Sequence, residues 1–229
     1  MIEVVGLDGD DTLWRNEEYF AVSQEMFRAI VEPYLDRDLD VDGELASRER
    51  ANLELFGYGI KGFTLSMLET AIEITEGRIP VAQLQVLLDR GKEMLSHPVE
   101  LLDGVADTIA ALSADYRLVL VTKGDLFHQE QKVARSGLAE LFWRVEIVAE
   151  KDESTYERLL ARHEVEPPSF VMVGNSVRSD VLPVLAIGAR AVHIPYEITW
   201  AHELAEHDGS VPTLASISQL PVWLDANRG

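Results

Sequence analysis

The chain has 229 residues, 47% of them hydrophobic, no cysteine and a formal net charge of −20 at pH 7. That length can fill one large core or two smaller ones. The lack of cysteine excludes disulfides, thiol nucleophiles and thiolate metal sites, and fits a cytoplasmic home. The acidity argues against partners that need a basic face, so neither nucleic acid nor an anionic membrane is expected.

A small anionic substrate stays open, because a metal and a few cations can reverse the potential locally. No apolar run approaches the length that spans a bilayer, and the opening residues show no basic region or cleavage site of a signal peptide. Ile2, Val4, Val5 and Leu7 form a short, β-branched apolar run that reads as a buried parallel strand. Asp8, Asp10 and Asp11 follow where that strand should end. Acids gathered in this way repel one another and lose hydration, so a bound divalent cation is the obvious counter-charge. Oxygen-only ligands favour magnesium or calcium over zinc.

From Glu17 to about Leu95 the texture is helical. Tyr19/Phe20, Ser23, Met26/Phe27 and Ile30/Val31 recur at helical spacing up to Pro33. A second helix is expected from roughly Glu44 to Phe56, a third through Phe63, Met67/Leu68 and Ala71/Ile72, and a fourth entered through Pro80. After His97-Pro98 short β-rich runs alternate with helices. The predicted strands are Leu118–Val121, Val145–Val148, Phe170–Val173 and Ala191–Ile194. The predicted helices are Val105–Leu112, His128–Arg135, Ser154–Arg162 and one from about Asp180 to Ile187 with Pro183 in its first turn.

This order implies an α/β fold, a Rossmann-like parallel sheet with helices on both faces, plus an inserted α-helical cap domain. Residues 1–14 and 97–229 form the expected core and 15–96 the cap, a lid above the strands' carboxyl ends, where ligands of open α/β sheets bind. From Thr199 onward the chain gives little to read.

The predicted strand ends carry Asp8 and Asp10, then Thr122-Lys123-Gly124, then Lys151, then Gly174-Asn175-Ser176 with Asp180 beyond. That set suits phosphoryl transfer, which needs in-line attack and neutralised oxygens. A carboxylate can attack phosphorus, and a second one two residues on can move the leaving-group proton.

In these residues the chain resembles the haloacid dehalogenase (HAD) superfamily of hydrolases, in the branch with a helical cap after the first motif. The motif D-x-D-x-T is matched by Asp8, Asp10 and Thr12, the strand-end Thr or Ser by Thr122, and the following Lys by Lys151. The G-D-x-x-x-x-D motif is matched by Gly174 to Asp180 as G-N-S-V-R-S-D. The resemblance implies a Mg2+-dependent phosphatase of a small phosphorylated metabolite, working through an aspartyl-phosphate. Asp8 would be nucleophile and metal ligand, and Asp10 acid/base with its carbonyl on the metal. Thr122 would hold a phosphoryl oxygen, Lys151 would neutralise charge, and Asn175 and Asp180 would complete the metal site.

Lys123 and Gly124 join Thr122 as substrate-binding candidates, either through the Lys123 amine or through the backbone N–H groups of the turn. Lys61, in the glycine-rich stretch Gly57–Phe63 between two cap helices, is the candidate that senses the leaving group. Asp11 reads as a cap of the turn, Trp14 as packing and Arg178 as surface.

Asn175 departs from the family's more usual Asp and predicts weaker metal binding or a larger role for Asp180. Asp10 speaks against dehalogenation, since displacing halide from carbon needs no leaving-group proton. A phosphomutase shares the motifs, and a phosphoacceptor switch or a non-catalytic phosphate-binding protein are the readings from other classes. His202 and His207 stand one residue too far apart for a zinc-binding H-E-x-x-H pair, and the first motif lacks the later glycine and Glu of a calcium loop. Nothing in the sequence decides between monomer and homodimer.

Overall fold

In the computed structural model, residues 1–36, 38–198, 209 and 211–228 are described. The His202–His207 stretch falls outside them.

Strand β1 (Val4–Leu7) is buried along its whole length, because it lies in the middle of a sheet and has neighbours on both edges. Among the described residues the sheet has five strands in the order β3-β2-β1-β4-β5, with β2 Arg117–Lys123, β3 Arg144–Val148, β4 Phe170–Gly174 and β5 Arg190–His193. All four pairings are parallel. Leu7 pairs with Leu120 on one side and Val173 on the other. The residues that follow these positions therefore emerge side by side. The chain steps outward from β1 to β2 and β3, then returns to the other edge of β1 with β4. That reversal opens a crevice at the carboxyl ends of β1 and β4, where open α/β sheets bind ligands.

Side chains alternate between the two faces with the period of two that a strand imposes. Val5, Leu7, Leu118, Leu120, Val171 and Val173 pack against helices α5 (Val105–Leu112), α6 (Leu126–Arg135) and α9 (Leu220–Ala226). Val4, Val119, Val121, Phe170 and Met172 pack against α7 (Glu153–Arg162) and α8 (Leu182–Ala186). Helix α9 and the turn Ile217–Gln219 before it had no counterpart in the sequence reading.

One element differs in kind from its expectation. Instead of a single helix from Asp180, the chain makes a π-helical turn, Val177–Val181, and only then enters α8, with Pro183 in the first turn. Pi turns are rare and concentrate at functional sites.

The chain divides into two compact units, Met1–Glu17 with Val99–Gly229, and Glu18–Pro98. The second is helical, with α1 (Glu17–Val31), α2 (Val41–Phe56), α3 (Ile60–Ile74) and α4 (Val81–Ser96). Its own core gathers Phe27, Val31, Leu45, Phe63, Met67, Leu87 and Met94. Helix α2 begins three residues earlier than expected because the Asp40 carboxylate caps it by accepting from Gly43 N–H at 3.0 Å. Between α2 and α3 runs a polar seam. The Asn52 amide donates to Ser66 Oγ at 3.1 Å and to Glu69 at 2.8 Å. One oxygen of Glu49 is buried with no partner among the described residues, and burial, opposed by Arg50, pushes that carboxyl up to about 7.

Candidate active site

Asp8 is the first residue past β1, and its backbone N–H donates to Val173 O at 2.9 Å, which extends the β1–β4 ladder by one residue. Its buried carboxylate is held at both oxygens. Oδ1 accepts from Lys151 Nζ at 2.5 Å and Oδ2 from Thr12 Oγ at 2.9 Å. The same Lys151 ammonium donates to Asp180 Oδ1 at 2.6 Å, and Asp180 Oδ2 accepts from Ser176 N–H at 3.1 Å.

One ammonium thus serves two buried carboxylates. Burial, aided by Asp180 and opposed by Lys151, pushes the Asp8 carboxyl above its usual range. Burial by itself would lower Lys151, but the Asp180 and Asp8 carboxylates outweigh it and hold the ammonium well above its ordinary value. The trio keeps one uncompensated negative charge, which a cation or a substrate dipole can meet.

Asp180 reaches this place because Gly174, opposite it in the strand-end loop, has no side chain. A Cβ there would collide with the Asp180 carboxylate. Asn175 joins the same neighbourhood. Its Oδ1 lies 3.3 Å from Thr12 Oγ, and its backbone N–H donates to that oxygen at 3.1 Å. The Asn175 carbonyl in turn is contacted by His193 Nε2 at 3.0 Å, from the end of β5.

Asp8 Oδ2 and Asn175 Oδ1 therefore flank one hydroxyl. Both are hard oxygen donors of the kind Mg2+ takes, although among the described residues no group of three or more His, Cys, Asp or Glu is placed to hold a metal ion. The pair carries one negative charge fewer than it would with Asp at 175.

Thr122, near the end of β2, is 1% exposed, and its hydroxyl has no hydrogen-bond partner among the described residues. It lies against the backbone between the two aspartates, 3.3 Å from where a Cβ on Gly9 would stand. A buried hydroxyl left unpaired costs about 1–3 kcal/mol, and a ligand oxygen would satisfy it.

Asp10 is engaged more heavily than the sequence suggested. Oδ1 accepts from Trp14 Nε1 at 2.5 Å and Lys132 Nζ at 2.7 Å, and Oδ2 from Gln129 Nε2 at 2.8 Å. Burial pushes that carboxyl up, but Lys132 and the two neutral donors win and hold it below its usual value.

Of these three donors, only Trp14 drew notice in the sequence, as a packing residue. It is fully buried and does pack, and its indole N–H is a site donor as well. Gln129 and Lys132 stand three apart on α6, and a helix that brings i and i+3 onto one face was the available signal.

Asp11 behaves as the expected cap. Its Oδ1 accepts from Asn16 N–H at 2.9 Å and Glu17 N–H at 3.0 Å, at the start of α1, with its own backbone in the left-handed region at φ 63°. Burial pushes its carboxyl up to about 7 against those two N–H groups.

Lys123 directs its amine to Glu150 Oε1 at 3.3 Å and Ser179 Oγ at 3.2 Å. Gly124 follows with φ 144°, and a Cβ there would stand 2.9 Å from Gln129 Nε2. Lys61 belongs to the helical unit, in the first turn of α3 after a link that is only Gly57–Gly59. Arg178 is exposed on the π-helical turn. The structure thus brings Asp8, Thr12, Lys151, Asn175 and Asp180 into one bonded cluster, with Asp10 in a second cluster two residues from Asp8.

The family profile for haloacid dehalogenase-like hydrolases matches residues 2–188. The chain belongs to this family. A haloacid dehalogenase-like family hydrolase from Xanthomonas campestris is similar to it over 98% of this chain and 91% of that one, at 48% identity and a TM-score of 0.87. A 2-haloacid dehalogenase from Pseudomonas syringae is 22% identical over 99% of both chains, with a TM-score of 0.65. A Thermotoga maritima protein assigned as a β-phosphoglucomutase is 17% identical over 98% of this chain and 99% of that one, with a TM-score of 0.66. No curated protein sequence matches. The last two likenesses are those of a shared fold that carries different chemistries, so membership fixes a hydrolase of this family and not the bond it cleaves. Among the described residues, no helix is long and apolar enough to cross a membrane.

Proposed function

We propose that this haloacid dehalogenase-like hydrolase is a Mg2+-dependent phosphatase that acts on a small phosphorylated metabolite in the cytoplasm. The observation that carries the reading is the unpaired, buried Thr122 hydroxyl lying against Gly9, between a nucleophile-grade carboxylate and a second acid. A dehalogenase has no use for Asp10, whereas an ester oxygen leaving phosphorus needs a proton.

In this reading Asp10, held below its usual value in the free enzyme by Lys132 and its two neutral donors, takes up a proton as substrate binds. An Asp8 oxygen then attacks phosphorus in line, the P–O bond to the leaving group breaks, and the departing oxygen takes that proton. Water then attacks the aspartyl-phosphate, gives its proton to Asp10, and the P–O bond to Asp8 breaks to release phosphate. Thr122 holds a phosphoryl oxygen through its hydroxyl, and Lys151 keeps Asp8 and Asp180 apart from mutual repulsion. Asp8, the Asp10 carbonyl, Asn175 and Asp180 would hold Mg2+, which when bound supplies positive charge to the phosphoryl oxygens.

A phosphate-release screen over a metabolite panel with Mg2+ tests this, with Asp8→Asn as control. Release that disappears in the variant supports it. Release that persists overturns the covalent route, and halide release from a 2-haloacid without phosphatase activity overturns the reaction class.

A further inference from the structure

Asp10 carries more hydrogen bonds than packing requires, and their source is a single helix. Lys132 and Gln129 on α6 supply two of the three donors, and each is itself tied down. Lys132 also donates to Asn16 Oδ1 at 2.8 Å, and Gln129 to the Lys123 carbonyl at 3.0 Å. Both Asp10 oxygens are thereby occupied, which leaves its side chain a single position.

The arrangement leaves one buried acceptor unmet. With its amide N–H groups turned to Asp10 and Lys123, Gln129 leaves its own Oε1 buried and without a partner among the described residues. The flipped amide would set oxygen against oxygen at 2.8 Å, so Asp10 fixes the orientation. Gly124 is part of the same device. A Cβ at that position would stand 2.9 Å from Gln129 Nε2, and φ 144° would strain any other residue. A buried acceptor is left orphaned and a turn is kept bare so that one amide can touch one carboxylate. An apolar side chain of the same shape at 129 would remove the orphaned Oε1 but would strip Asp10 Oδ2 of its donor and take one from the Lys123 carbonyl, so the amide is held by what it gives Asp10.

We propose that Gln129 and Lys132 are positioning residues that fix the Asp10 carboxylate for proton transfer, with Gln129 also tying it to the backbone beside Thr122. The proposal rests on the phosphatase reading for its kinetic consequence and on geometry for the rest. Both elements descend from the β2 strand end. The helix that begins at the Asp125 cap, whose carboxylate accepts from His128 N–H at 2.9 Å, therefore sets the phosphoryl-contact turn and the acid/base together.

The test uses full-length Gln129→Leu, Lys132→Met and Lys132→Arg, assayed with Mg2+ on p-nitrophenyl phosphate and phenyl phosphate, alongside crystal structures and melting curves of each. The two esters differ in how much their leaving oxygen needs a proton. Misplacing a proton-transfer group costs kcat, so Gln129→Leu and Lys132→Met should lose about tenfold or more in kcat on phenyl phosphate with KM within about twofold. The loss in leaving-group departure should be smaller on p-nitrophenyl phosphate, and Lys132→Arg should recover part of it. Gln129→Leu should melt lower than wild type, since Asp10 Oδ2 loses its donor, and its Asp10 side chain should move from the position seen here.

An Asp10 side chain unmoved in both Gln129→Leu and Lys132→Met overturns the proposal, as does an equal loss on the two esters or a change confined to KM. A wild-type enzyme inert toward both esters counts against the phosphatase reading instead, and the Asp10 position in the variant structures then decides for or against positioning.

Discussion

Lys151 Nζ lies 2.5 Å from the Asp8 carboxylate, bridging from the loop after β3 to the end of β1. A second carboxylate, Asp180, shares that ammonium at 2.6 Å. Removing the lysine would leave two buried acids facing each other. Lys151→Met should therefore abolish turnover and also lower unfolding stability by about 3–5 kcal/mol, the usual result of breaking a buried pair from one side. Urea unfolding near neutral pH checks this. A variant as stable as wild type would show that the ammonium is not what holds Asp8 and Asp180 together.

Thr122 should behave in the opposite way. Thr122→Val keeps the shape and removes a hydroxyl that has no partner, so stability should hold or rise by about 1 kcal/mol. Activity should fall, with kcat/KM down about tenfold or more, because the phosphoryl oxygen loses its donor. Melting curves and steady-state kinetics on one preparation separate the two effects.

Asn175→Asp adds a charge to a site that already has one negative charge too many. Without metal the variant should melt lower than wild type, and added Mg2+ should raise its melting temperature by more. Its Mg2+ affinity should improve about tenfold, following ligand charge. Calorimetric titration of Mg2+ into the substrate-free proteins measures this without reference to activity. Equal affinities would remove Asn175 from the ligand set.

Glu49 predicts a pH dependence within the helical unit. Its folded carboxyl is pushed up to about 7 from an ordinary 4.5, so folding favours the protonated form. The relative advantage is complete below about pH 4.5 and is lost as pH rises through about 7, at a cost of up to about 3 kcal/mol. Glu49→Gln should flatten this part of the profile. The net charge of −20 also loads the protein with repulsion as pH rises. The informative quantity is therefore the difference between wild type and variant across pH 4.5 to 8. A constant difference would place the Glu49 carboxyl in ordinary solvent.

Local pattern carried most of the fold. Alternating apolar runs located all five strands of the described sheet to within a residue or two at either end, since each is short, buried and bounded by turn residues. Helix α5 was legible at both ends, Val105 and Leu112. The π-helical turn was not, because Val177–Val181 has no periodicity of its own and takes its shape from Asp180 reaching Lys151 across the sheet.

The site follows the same division. Asp8, Thr122 and Lys151 could be found from their places after strands. Gln129 and Lys132 share a helix face, but nothing local says that this face passes Asp10, 119 and 122 residues away in sequence. Gly124 was singled out as a phosphate contact, and its lack of a side chain makes room for Gln129.

Strand order also sets a timetable for synthesis. β1 is the central strand, yet its partners begin at Arg117 and Phe170. At about 5–20 residues per second, translation leaves the first strand and its cluster of acids without an edge to pair with for about 5–20 s. The intervening helices make chiefly local contacts and can order themselves in that interval, whereas the sheet nucleates only after a loop of more than a hundred residues closes. Repulsion among Asp8, Asp10 and Asp11 then has a use before catalysis begins: it discourages the waiting strand from pairing with a second nascent chain.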